Sequence, residues 1–218
     1  MEEVNRTVML LSGGMDSSTL LSELLWSGDQ VATISFDYGQ HHRRELDAAK
    51  VIAHGFGVDN RVIALPGILS GSALTGQSDI PHGHYEADSM RATVVAGRNM
   101  IMIAIAASVA IQKGFDRVAY SAHAGDHHIY PDCRPAFVVA MDAVMQVADE
   151  HPISLYAPFL QMTKREIALR AMTLGVPLDC TWTCYEGGAD PCGKCGACVE
   201  RNEAIAWAEL YHKRGVGS

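Results

Sequence analysis

The chain has 218 residues, 48% of them hydrophobic and 19% charged, the make-up of a soluble globular protein with room for one α/β domain and a small appendage. Its 17 basic and 25 acidic residues leave a net charge of −8. That balance argues against a broad grip on nucleic acid, which needs clustered Lys and Arg against the phosphates.

The acidic start, Met1–Gly14, carries no basic region or cleavage site of a secretory signal. Thr7–Ser12 reads as a strand buried on both faces, because its apolar run is continuous. Ser17–Trp26 has helical spacing and stops before Gly28; Gln30–Phe36 is a second strand, Arg43–Phe56 a second helix and Arg61–Leu65 a third strand. Pro66–Ala92 then shows no period, and a connection this long is either a lid over a site or a solvated insertion. Regularity returns with a helix over Asn99–Lys113, a strand over Arg117–Ala122, a helix over Arg134–Asp149 and a strand over Ile153–Pro158. The apolar run Met100–Ile111 is too short for a bilayer, so the expectation is a cytoplasmic protein without a membrane partner. Thr163 and Glu166 spell a capping box, and Gly175 with Pro177 marks that helix's end. Strands alternating with helices predict an α/β fold: one domain over 1–218 with a doubly wound, mostly parallel sheet covered on both faces. Its ligand belongs beyond the carboxyl ends of the strands, where Ser12–Ser18 fall.

Strand, Ser12-Gly13-Gly14, then a helix starting near Asp16 is an anion site. Glycine lets the backbone approach oxygen atoms, and free N–H groups at the positive helix end face the charge. No lysine stands where the Walker loop needs one, and the dinucleotide fingerprint is not spelled. Ser-Gly-Gly-x-Asp-Ser resembles the PP-loop of ATP pyrophosphatases, which cleave ATP to AMP and pyrophosphate. The resemblance implies a PP-loop, adenine nucleotide alpha hydrolase-like fold. It also implies that Leu11, Ser12, Gly13, Gly14, Met15, Asp16, Ser17, Ser18, Thr19, Leu20 and Leu21 form the ATP-binding stretch. Asp16 either caps the helix or helps hold Mg²⁺.

Of six cysteines, Cys184, Cys192, Cys195 and Cys198 form a Cys-x7-Cys-x2-Cys-x2-Cys array within a C-terminal segment, 180–212. Four thiolates suit a closed, structural zinc knuckle; an iron–sulfur cluster is the competitor. Cys180 reads as a buried thiol, and Cys133 as an inert thiol or, less readily, a nucleophile. The histidines of "QHHRRE" and "HAGDHHIY" lack catalytic zinc spacing and read as surface or pocket-lining groups.

In order along the chain, "SGGMDSST", "SFDYGQ", "SALT", "GRN", "YPDCR", "TKREI" and "TWTCYEGG…CGKCGAC" resemble the 7-cyano-7-deazaguanine synthase family, the QueC-type PP-loop enzymes. The resemblance implies ATP-dependent conversion of 7-carboxy-7-deazaguanine and ammonia to the nitrile, through an adenylated carboxylate and an amide. It places pyrophosphate and Mg²⁺ on Ser12, Gly13, Gly14, Asp16, Ser17 and Ser18. Arg98 would face the phosphates or the substrate carboxylate, and Lys164 the α-phosphate, with surface salt bridges as the bland alternative for both. Asp37, Tyr38 and Gln40 would meet adenine or ribose; Asp126, Tyr130 and Asp132 would meet the deazaguanine ring, whose N–H edge favours a carboxylate. A homodimer without direct nucleic-acid contact completes the expectation. Many family members read Pro-Gly-Arg-Asn where this chain has "AGRN", and a glycine-led segment where it has "SAHAGDHHIYPDC". Both departures fall at the expected substrate site, leaving nitrile and amide open as products. A PP-loop tRNA thiolase with an iron–sulfur cluster would call for a basic surface and an added RNA domain. A zinc-bearing module without enzymatic activity would leave ATP intact.

Overall fold

The computed structural model describes residues 4–76, 78–85 and 88–215; the first three residues of the acidic start and residues 77, 86 and 87 of the 66–92 connection lie outside the described residues. Five strands, β1 (Arg6–Leu10), β2 (Gln30–Asp37), β3 (Asn60–Ala64), β4 (Arg117–Ala119) and β5 (Ser154–Tyr156), pair in the order β3-β2-β1-β4-β5, every ladder parallel. Along β1, side chains alternate between two cores, Val8 on one face and Met9 on the other, as the two-residue period of a strand requires.

The helices are α1 (Met15–Trp26), α2 (Arg44–Gly55), α3 (Arg98–Lys113), α4 (Pro135–Gln146), α5 (Lys164–Thr173) and α6 (Gly196–Gly215). Leu20, Leu21 and Leu24 of α1, Ala49 and Ile52 of α2 and Ile167 of α5 fill one core. Ile103, Ala106 and Ala110 of α3 with Met141 and Met145 of α4 fill the other. The sheet is therefore wound in both directions from β1. The order reverses between β1 and β4, which opens a crevice at their carboxyl ends.

The capping box on α5 forms as the sequence indicates: Glu166 N donates to Thr163 Oγ1 at 3.3 Å, and Thr163 N donates to Glu166 Oε2 at 2.7 Å. Elsewhere the structure corrects the sequence. The fourth strand ends at Ala119, not Ala122, because after Tyr120 the chain leaves the ladder to line the crevice. The helix over 98–113 starts from Gly97, held at the left-handed φ of 68°. The described part of residues 66–92 is exposed over much of its length but anchored to the core at several points. Leu69, Ala73, Leu74, Ile80 and Met90 are buried, and a 3-10 turn spans Asp88–Thr93. The segment is stitched to the cysteine array by Gly83 N donating to the Lys194 carbonyl at 3.0 Å. The C-terminal α6 has no counterpart in the sequence reading. Its Ala204 and Ala208 pack against Ala168 of α5 and Met15 at the start of α1. Among the described residues, no helix is long and apolar enough to cross a membrane.

Candidate active site

A cavity of about 250 Å³ opens at the carboxyl ends of β1, β2 and β4. One end is backbone. Leu11 N still donates to the Ile34 carbonyl at 2.8 Å, then Ser12-Gly13-Gly14 turns into α1. Gly13 has φ 85°, and a Cβ there would fall onto the Glu45 carbonyl oxygen and lie 2.6 Å from Ala49 N. Only glycine permits that approach of α2. Gly14, not Asp16, is the N-cap, and no side chain caps α1. Ser12 and Ser17 hydroxyls lie 3.0 Å apart, and Ser17 Oγ donates to the Gly14 carbonyl at 3.1 Å. The free amides of the first turn, at the positive helix end, thus face the cavity beside two hydroxyls.

Beside this turn sits a buried charge network. Lys164 Nζ lies 2.6 Å from Asp16 Oδ2 and 3.4 Å from Glu200 Oε2. His123, 2% exposed, places Nε2 3.8 Å from Asp16 Oδ2 and 3.6 Å from Asp126 Oδ1, while its Nδ1 accepts from Gly125 N at 3.1 Å. Burial alone would raise the Asp16 pKa, but Lys164 and His123 outweigh it and hold the carboxyl below its ordinary value. Burial opposes the Lys164 charge too, yet Asp16 and Glu200 raise its pKa. Neither member is a surface salt bridge.

The other end is made of side chains from distant segments: Tyr38, Tyr85, Arg98, Tyr130 and Tyr185 line it. Arg98 Nη1 donates to Tyr38 OH at 3.3 Å, with its guanidinium 5.8 Å from the ring centroid. Burial pushes the Tyr38 hydroxyl up to about 12, a shift that Glu45 reinforces and Arg98 opposes. Tyr85 OH donates to Asp126 Oδ1 at 3.0 Å, and the Thr93 and Tyr130 hydroxyls lie 2.7 Å apart. Glu45 lines the same end, its Oε1 accepting from Gln40 Nε2 at 2.9 Å.

Of the residues singled out in the sequence, Leu11, Ser12, Gly14, Met15, Asp16, Ser17, Tyr38, Arg98, Asp126, Tyr130 and Lys164 line this one cavity. Gly13 lies beneath the turn, its carbonyl accepting from Trp182 N at 2.9 Å. Leu20 and Leu21 face the α1–α2 core. Thr19 Oγ1 is spent on the Met15 carbonyl at 2.7 Å, and Ser18 is fully buried. Asp37 pairs with Arg43 at 2.8 Å. Gln40 braces the turn after β2, and Asp132 accepts from Asn99 N at 3.0 Å, fixing the start of α3. Cys133 is buried, and burial, Asp126 and Asp132 raise its thiol pKa, which favours the inert thiol over the nucleophile. Cys180 is exposed rather than buried. Sequence reasoning missed Glu45, Tyr85, Tyr185 and Glu200. Tyr185 adjoins a metal-ligating candidate and Glu45 closes "QHHRRE", which were the available signals; Tyr85 had none.

The sulfur atoms of Cys184, Cys192, Cys195 and Cys198 all lie within 4.8 Å of one another. Tetrahedral metal–thiolate bonds of about 2.3 Å demand sulfurs roughly 3.8 Å apart, so one four-thiolate metal ion fits. Cys192 N donates to Cys184 Sγ and Cys195 N to Cys192 Sγ, each at 3.3 Å.

The family model described as queuosine biosynthesis protein QueC matches residues 6–209. The chain is 46% identical over 204 residues to the 7-cyano-7-deazaguanine synthase of Hahella chejuensis, covering 92% of this chain and 88% of that protein. To the 7-cyano-7-deazaguanine synthase of Marinobacter nauticus it is 48% identical over 202 residues, covering 91% of each. Among solved structures, an NMN synthetase from Francisella tularensis aligns with a TM-score of 0.52 at 13% identity, over 97% of this chain and 87% of that one. This last is a likeness of fold.

Proposed function

Because the chain belongs to the QueC family of queuosine biosynthesis proteins, we propose that it is an ATP-dependent carbon–nitrogen ligase that turns 7-carboxy-7-deazaguanine and ammonia into 7-cyano-7-deazaguanine. The observation that carries the reading is the joining of two kinds of anion site in one cavity. The uncapped start of α1 suits a pyrophosphate, and Arg98 at the other end suits a planar carboxylate.

A carboxylate is a poor electrophile. Its oxygen first displaces pyrophosphate from the α-phosphorus of ATP; the amides of the α1 turn and the Ser12 and Ser17 hydroxyls receive the departing charge. Lys164 neutralises the α-phosphoryl oxygens, and Asp16 keeps its ammonium in place. Ammonia displaces AMP to give the amide. A second activation at the amide oxygen lets that oxygen leave with AMP, and the nitrile remains. Arg98 and the tyrosines orient the substrate, and Asp126 accepts from the N–H edge of the deazaguanine.

Asp16 Oδ1 is buried without a hydrogen-bond partner, a donor suited to Mg²⁺, which supplies charge neutralisation at the phosphates when bound. Zinc is the ion that suits the four cysteines, because a closed thiolate shell makes a structural site. A cytoplasmic homodimer belongs to the same reading, supported by the exposed Val139 and Val144 on α4.

Incubation with ATP, ammonium and 7-carboxy-7-deazaguanine, followed by mass spectrometry, tests the function. AMP, pyrophosphate and the nitrile are expected. An amide endpoint would move the product one step back, and intact ATP would refute the enzyme. A colourless protein with one zinc per chain would exclude an iron–sulfur centre.

A further inference from the structure

At neutral pH ammonia exists mainly as ammonium, whose nitrogen has no lone pair to attack with. A cavity that uses ammonia efficiently therefore needs a base, and most candidates here are engaged. Asp16 is held by Lys164 at 2.6 Å. Asp126 accepts from Tyr85 OH at 3.0 Å and from His123 N at 3.2 Å. Glu200 lies 3.4 Å from Lys164. His123 spends its Nδ1 lone pair on Gly125 N and turns Nε2 toward carboxylates. The Cys133 sulfur accepts from Asn99 Nδ2 at 3.3 Å, and burial raises its thiol pKa.

Glu45 is different. It stands in the first turn of α2 and lines the cavity. Its Oε1 accepts from Gln40 Nε2 at 2.9 Å. Gln40 is itself locked, donating to the Phe36 carbonyl at 3.1 Å and accepting from Tyr38 N at 2.9 Å. Among the described residues no Lys, Arg or His nitrogen lies within ion-pair distance of Glu45, in contrast to the three carboxylates above. The groups that face it are Gln40 and Tyr38 from the turn after β2 and Arg98 from α3. Burial pushes its carboxyl up to about 7, against the opposing pull of Arg98 and of the Gln40 bond. Such a group accepts a proton near neutrality, as a general base must.

We propose that Glu45 receives ammonium in the cavity, takes one proton from it, and delivers ammonia to the acyl-adenylate beside Arg98. The assignment rests on the adenylation chemistry proposed above. One N–H bond of ammonium breaks and its proton passes to the Glu45 carboxylate. The freed lone pair forms the C–N bond, and the C–O bond to AMP breaks with its electron pair leaving on the phosphate oxygen. A second proton leaves the nitrogen for AMP or water, and Glu45 returns its own proton to water.

Hydroxylamine isolates this step, because it is already unprotonated at neutral pH and attacks acyl-adenylates without help. In Glu45→Gln, whose side-chain oxygen can still accept from Gln40, ammonia-dependent amide formation near neutral pH should fall about 100-fold, the lower range for general-base catalysis. Hydroxamate formation and substrate-dependent ATP–pyrophosphate exchange should stay close to wild type. Glu45→Asp keeps a carboxylate one methylene further back, and should fall between the two with ammonia alone. An equal loss with both nucleophiles, a loss of exchange, or an unchanged ammonia rate would each overturn the assignment. Wild-type protein without substrate-dependent exchange would show instead that the adenylation reading itself fails, taking this proposal with it.

Discussion

The two ends of the cavity are built on opposite plans. The phosphate end is main chain from one stretch, Ser12–Ser17, shaped by a glycine that α2 crowds from below. The tyrosine end is side chain, drawn from the β2–α2 turn, the 66–92 segment, the start of α3, the loop after β4 and the cysteine-rich tail. The electrostatics differ in the same sense. Asp16 is held ionised by Lys164 and His123, whereas burial pushes Glu45 toward its neutral form. A backbone site tolerates side-chain change around it, while an assembled site depends on whatever holds its pieces together.

The largest expected effect follows from that dependence. Cys195 is fully buried in the four-sulfur cluster, and the chain around the cluster supplies Trp182, Tyr185 and Glu200 to the cavity. Thiolate–zinc sites in small domains are worth about 10–16 kcal/mol of folding free energy. Cys195→Ser should abolish zinc content by elemental analysis and release α6 from α5, destroying activity. Chelation of wild-type protein should do the same. A variant that kept zinc and activity would show that the tail is not what assembles the tyrosine end.

Next comes Lys164→Met, which strikes the phosphate end. It strands the Asp16 carboxylate, already short of a partner at Oδ1. Removing one member of a buried pair costs about 3–5 kcal/mol, readable as a lower midpoint in urea. The double variant Asp16→Asn with Lys164→Met should recover much of that stability and none of the activity.

These contrasts explain what the sequence disclosed. Ser12–Ser18 and the cysteine array were legible as clusters because their members are neighbours in the chain, at spacings that chemistry dictates. Of the two roles open to Asp16, the cap is excluded, because the helix begins at Met15, two residues before the position its apolar spacing marks, with Gly14 as the cap. Tyr85 was opaque, and Glu45 showed only as the end of "QHHRRE". Residue spacing cannot show that positions 85 and 45 line one cavity with Arg98, since the sheet order and Met90 lying against Gly196 bring their segments together. The helix α6 hid behind its ligand spacing, with little more than Ala204 and Ala208 to mark a buried stripe. Cys180 closes a 3-10 turn at Leu178–Cys180 and is exposed there.

A smaller effect separates the two ends by pH. The Asp16 pKa is depressed, so its stabilising contribution is present above the ordinary carboxylate value and is lost as pH falls below it. Glu45 is raised from 4.5 to about 7. The unfolded chain ionises it first, so wild-type stability is lost as pH rises through that window. Glu45→Gln removes the liability. Its advantage over wild type should grow from near zero below about pH 4 to about 3 kcal/mol above pH 7, measured by urea titrations at both ends. A difference independent of pH would mean that Glu45 is ionised at its ordinary value.

The smallest effect tests whether residues 66–92 serve the site or only cover it. Tyr85→Phe removes a single hydroxyl, the one that donates to Asp126 Oδ1 at 3.0 Å, and leaves the ring against Tyr130. Asp126 keeps its bond from His123 N, so the stability loss should be about 1 kcal/mol. If Tyr85 aims Asp126 at the deazaguanine edge, that same increment is withdrawn from substrate binding. KM for 7-carboxy-7-deazaguanine should then rise several-fold with kcat and the ATP KM held, the pattern of lost uniform binding. If the segment is cover alone, melting temperature falls and KM does not move, because a wall that merely excludes water is indifferent to one hydroxyl.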